Sequence, residues 1–122
     1  MGDRVSISFR NGNEQSVVLC SHWGGQQFIK IVESYVEKLI EEVKNKKNLE
    51  PLDRLEPETV MVDFIREITK SFKRVDSGLY LGKGREEVDD SDNGHFVVDL
   101  QTGEVKNVDT GETIEQQVGK YE

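Results

Sequence analysis

Val17-Val18-Leu19-Cys20-Ser21-His22-Trp23-Gly24-Gly25 is the stretch on which the fold turns. A β-branched apolar run ends in it, and a helical periodicity starts directly after it. The continuous run Val17 to Cys20 suits a strand buried on both faces, here spanning Gln15 to Trp23. The Gly24-Gly25 pair breaks that strand. From Gln26 to about Lys46, the residues Phe28, Ile31, Val32, Tyr35, Val36, Leu39, Ile40 and Val43 recur at alternating steps of three and one. That spacing is a wide helical stripe. A helix of that length runs about 30 Å and needs a partner surface for its apolar side.

Toward the N-terminus, Val5, Ile7 and Phe9 alternate with Arg4, Ser6, Ser8 and Arg10. A period of two predicts a strand with one buried and one wet face. Asn11-Gly12-Asn13 supplies a turn, so this strand and the next form a β-hairpin. Toward the C-terminus, Asn45 to Glu56 is a polar connector containing Pro51. Pro57 suits the first turn of a second helix, with Glu56 and Glu58 near its positive end. Val60, Met61, Phe64, Ile65, Ile68 and Phe72 form the stripe of that helix, which ends near Arg74. Asp76-Ser77-Gly78 turns into a short strand at Leu79-Tyr80-Leu81. Arg85 to Gly94 reads as a solvated, mobile acidic loop. His95 to Leu100 and Glu104 to Val108 make a second hairpin around Gln101-Thr102-Gly103. From about residue 112 the apolar residues thin out to Ile114 and Val118, which predicts a mobile end or a short edge strand.

These elements make a single α+β domain over residues 1–122, in the order β-β-α-α-β-β-β. Two β-hairpins and a short strand form a mostly antiparallel sheet, and two long helices cover one of its faces.

Charge narrows the expected partners. The chain has 24 acids against 16 bases, a net charge of −8. Such an excess favours solubility and repels polyanions, so neither nucleic acid nor an anionic membrane surface is the expected partner. The strongest basic patch, Lys70-Ser71-Phe72-Lys73-Arg74, is explained more simply as cations at a helix C-terminus. No apolar run approaches the roughly 20 residues of a membrane helix. A single cysteine excludes an internal disulfide, and Met1 to Arg4 leads straight into a strand pattern instead of a signal-peptide core. A cytoplasmic location is expected.

The candidate ligand site is the corner His22, Trp23, Gly24 and Gly25. Glycines at a strand-to-helix turn let backbone N–H groups converge, and the helix start adds partial positive charge, a combination that holds phosphate or carboxylate. A histidine there offers a proton or a hydrogen bond, and the indole offers a flat apolar wall. The plainer reading is a tight turn, with Trp23 packing the open end of the core. The spacing of a Walker loop or a dinucleotide-binding fingerprint is absent. Cys20 and His22 share a strand face, which suggests a nucleophile–base pair, or with His95 the start of a zinc site. A buried cysteine is more simply a small hydrophobe, and the spacing is no metal signature. Asp89-Asp90-Ser91-Asp92-Asn93-Gly94 imitates the first half of a calcium loop, but Leu100 stands where the bidentate acid belongs. Glu33, Glu37 and Glu41 form a like-charged row explained by a solvated helix face.

The stretches Ser21 to Gly25 and Asp92 to Val105 resemble small uncharacterised proteins of archaea and phages, with a strand ending in His-Trp-Gly-Gly and a late Asp-Asn-Gly-His hairpin. The resemblance implies no activity to carry over. The expectation is therefore a small acidic binding module whose partner is a protein or a small anionic ligand, with no cofactor, no metal and no catalytic residue assigned. The alternative is a small enzyme or anion-binding domain that uses the His22–Gly25 corner. A homodimer through a free sheet edge is a third reading.

Overall fold

The computed structural model describes residues 2–45, 54–70 and 78–113. Its elements are β1 (Val5–Asn11), β2 (Glu14–Gln15), β3 (Val18–Ser21), α1 (Gly25–Lys44), α2 (Pro57–Thr69), β4 (Leu79–Gly82), a 3-10 turn (Arg85–Glu87), β5 (His95–Asp99) and β6 (Val105–Asn107). The expected connector around Pro51, the basic run Ser71 to Arg74, the turn at Asp76-Ser77 and the end from Ile114 onward lie outside the described residues. Among the described residues no helix is long and apolar enough to cross a membrane.

The fold is α+β with two helices, as expected, but the sheet is mixed. Its strand order is β4-β3-β1-β5-β6, with β2 added beside β1. The central pair β1 and β5 is parallel, with Ser6 opposite His95 and Ile7 opposite Phe96, while the remaining pairs are antiparallel. Most pairings are thus antiparallel, as expected, and the parallel β1–β5 pair at the centre is the departure. Alternation within a strand says which face is buried and carries no information on the direction of its neighbour. The chain between these parallel neighbours carries β2, β3, both helices and β4, ample length for the crossover that a parallel pair requires.

The predicted strand from Gln15 to Trp23 is two strands. Two residues lie between Ile7 and Arg10 on β1, but three lie between their partners Leu19 and Gln15. The extra residue makes a β-bulge, sealed by Ser16, whose N–H donates to the Phe9 carbonyl at 2.9 Å and whose Oγ accepts the Phe9 N–H at 2.9 Å. The slip lets Gln15 and Cys20 share one sheet face and sends Leu19 to the other.

Val5, Ile7 and Phe9 of β1, Leu19 of β3 and Phe96 and Val98 of β5 are buried on the helix side. They pack against Phe28, Ile29, Val32, Val36 and Leu39 of α1 and Val60, Met61 and Phe64 of α2. Phe64 is the hub: Phe9, Phe28 and Tyr35 meet it edge-to-face at 5.8, 6.0 and 5.0 Å between ring centroids. Such pairs add about 0.5–1.5 kcal/mol each beyond area burial. The Tyr35 hydroxyl donates to Asp63 at 2.6 Å and joins the two helices. Burial, with Asp63 beside it, pushes the phenol well up from its ordinary value. The expected α1 stripe is rotated by a step, because Ile29 is fully buried and Ile31 is exposed.

Candidate functional site

The corner His22 to Gly25 sits where expected, between β3 and α1. Asp3 clamps it: the Asp3 N–H donates to the His22 carbonyl at 2.7 Å and the Gly25 N–H to the Asp3 carbonyl at 2.9 Å. The Gly24 N–H donates to Ser21 Oγ at 3.0 Å. Both glycine amides are thus used inside the fold. Gly25 has φ +54°, and a side chain there would collide with the Asp3 carboxylate. That carboxylate lies against the start of α1, where a helix dipole favours negative charge. The His22 ring lies between Trp23 and Tyr80, with centroids 5.7 and 5.0 Å away. Trp23 is 61% exposed, so it packs over Gly78 at the surface and does not fill the core.

Titratable and polar groups converge instead on the opposite, helix-free face of the sheet. Ser6 and Ser8 of β1 and His95 of β5 are all buried there. The His95 ring is held between the two serines, Nδ1 2.7 Å from Ser6 Oγ and Nε2 3.1 Å from Ser8 Oγ. Ser6 Oγ donates to Asp90 Oδ2 at 2.8 Å, and Gln15 Nε2 donates to Ser8 Oγ at 3.0 Å. Arg85 closes the chain, donating to Asp90 at 3.0 Å and, in a two-pronged contact, to Asp109 at 2.7 Å. The guanidinium is pushed up from its ordinary value by Asp109 first and Asp90 second, and Asp109 is lowered in return by Arg85. Burial, then the Arg85 charge, lowers the His95 imidazole below the usual histidine value.

The segment before β5 is a solvent-facing loop, as expected, and it is also bonded along its length. Arg4 donates to Asp89 at 2.6 Å and to Asp92 at 3.0 Å. The Asn93 N–H donates to the Arg4 carbonyl at 2.9 Å and the Ser6 N–H to the Gly94 carbonyl at 3.1 Å. Cys20 Sγ donates to the Asp89 carbonyl at 3.3 Å, and burial raises its thiol. Exposed ion pairs of this kind are screened by solvent and contribute little singly, so the strength lies in their number and in the buried serine and histidine beneath them.

Beside this chain the helix-free face carries an open depression of about 470 Å³. Arg10, Lys83, Arg85, Gln15 and His95 line it, with Val18, Val97 and Val108 as its apolar part. Ser8 and His95 are spaced like a nucleophile and its base, but Ser8 is fully buried and its hydroxyl also accepts from Gln15. A substrate carbonyl has no approach to it. Among the described residues no group of three or more His, Cys, Asp or Glu is placed to hold a metal ion.

Sequence reading missed Ser6, Ser8, Arg10, Lys83, Arg85 and Asp90 as site residues. The available signal was a pair of serines, not Lys or Glu, at two outward positions of the leading strand. Comparisons with family models, with curated proteins and with solved structures find no match to this chain.

Proposed function

We propose that the protein is a ligand-binding module and that its ligand is a small anion, seated in the depression on the helix-free face. One observation carries this reading: the depression is lined by three cations, Arg10, Lys83 and Arg85, and by no acid among the described residues, in a chain of net charge −8. Local charge opposite in sign to the whole molecule focuses a small anion while the rest of the surface repels a polyanion. A volume of about 470 Å³ falls in the range of small-molecule sites. Arg85 is already engaged by Asp90 and Asp109 and Arg10 by Asp99 at 3.5 Å, so Lys83 is the cation that first meets the ligand. The free Cys20 fits a reducing, cytoplasmic setting. Binding is favoured over catalysis because the Ser8–His95 pair is sealed.

A calorimetric titration with inorganic phosphate and small carboxylates tests the proposal. Lys83→Gln is expected to weaken binding about tenfold, near 1.4 kcal/mol. An unchanged affinity in that variant would sink the assignment. A second reading puts the ligand at His22, Trp23, Gly24 and Gly25. It is favoured by the exposed Trp23 indole beside the His22 and Tyr80 rings, and it predicts that Trp23 fluorescence reports the titration.

A further inference from the structure

We infer that anion binding in this depression is coupled to uptake of one proton by His95, so that the site holds its ligand more tightly in acid. The inference rests on the anion reading above and adds its regulation.

The direction of the buried chain carries it. Ser6 has one hydroxyl hydrogen, and the Asp90 carboxylate accepts it. The His95 Nδ1 must therefore donate to Ser6 Oγ, and Nε2 must accept from the Ser8 hydroxyl. Gln15 supplies the last donor, to Ser8. Every bond from Gln15 to Asp90 is satisfied by one neutral tautomer. A proton taken from solvent onto Nε2 makes a new N–H bond facing Ser8 Oγ and forces the Ser8 hydroxyl hydrogen to turn away.

The charged groups around the ring set the balance. Arg85 opposes a positive imidazole, while Asp90 and Asp109 favour one. Arg10 and Lys83 line the same depression as the ring. Burial and Arg85 together hold the ring below the ordinary histidine value. An anion drawn into the depression by Lys83 brings negative charge beside the ring, which lines the same depression. It favours the protonated imidazole, and by reciprocity the protonated imidazole favours the anion by the same factor.

Sulfate tests this directly, because its charge does not change where histidine titrates. The His95 ring resonance is followed against pH with and without sulfate at constant ionic strength, and sulfate affinity is measured at about pH 5.5 and about pH 7.5. The expected result is a His95 midpoint raised by about one unit and sulfate bound about two- to fivefold tighter at the lower pH, short of the roughly tenfold limit that such a shift sets. His95→Gln is expected to bind sulfate with no such pH dependence. If that variant does not fold, the midpoint shift in the native chain decides. Sulfate bound equally at both pH values, with the His95 midpoint unmoved, overturns the coupling and leaves the anion reading standing. No sulfate binding at either pH overturns both.

Discussion

His95 sits 4% exposed between two serine hydroxyls, with the Arg85 guanidinium nearby. Its folded-state pKa is lowered, so below the ordinary value of about 6.5 the unfolded chain binds a proton that the folded chain refuses. This stabilisation is present above that value and is lost as pH falls toward the folded pKa. The urea midpoint is expected to fall between about pH 7.5 and about pH 5.5, and the fall is expected to shrink in His95→Gln. An equal fall in both proteins would remove His95 as its source. Gly25 offers a separate test at the same scale. With φ +54° and the Asp3 carboxylate against its Cα, Gly25→Ala is expected to lose about 1–3 kcal/mol in urea unfolding. Wild-type stability in that variant would mean that the corner relaxes freely. The importance of the Gly24-Gly25 pair was legible in the chain, because only glycine turns so sharply out of a strand. The role of Asp3 was not, because no local pattern brings the third residue beside the twenty-fifth.

The segment from Lys83 to Gly94 shows how far local reading goes. Its acids look solvated when taken alone. Arg4, Ser6 and Asp109 reach it from far along the chain and bond it down. Arg85→Gln is expected to speed amide hydrogen exchange at residues 85–94 while leaving α1 unchanged. Equal acceleration in both would mark a global loss of stability instead. The strands and helices themselves were legible, since β1, α1, α2 and the β5–β6 hairpin follow periods of two and 3.6. Three features were not. The bulge at Ser16 arises from pairing with Phe9, the direction of β5 from the crossover, and the burial of Ile29 over Ile31 from where the sheet lies against α1.

Across the whole molecule, the two faces of one sheet divide the labour. The helix side holds the described elements together through Phe64 and its three ring contacts. Phe64→Ala is expected to cost about 3–5 kcal/mol, read as a lowered melting temperature. A cost under about 1 kcal/mol would mean that the core repacks around the loss. The other side gathers the polar chain and the cations. The site was nearly invisible in sequence because its parts come from β1, β2, the segment after β4, and β5. Only the parallel β1–β5 register sets Ser6 and Ser8 on either side of His95. The most direct test of the anion site is a map of amide shift changes during titration with phosphate at neutral pH. The changes are predicted to cluster at Arg10, Lys83 to Arg85 and His95 to Val97. A map confined to residues 22–27, or one without change, would contradict the assignment.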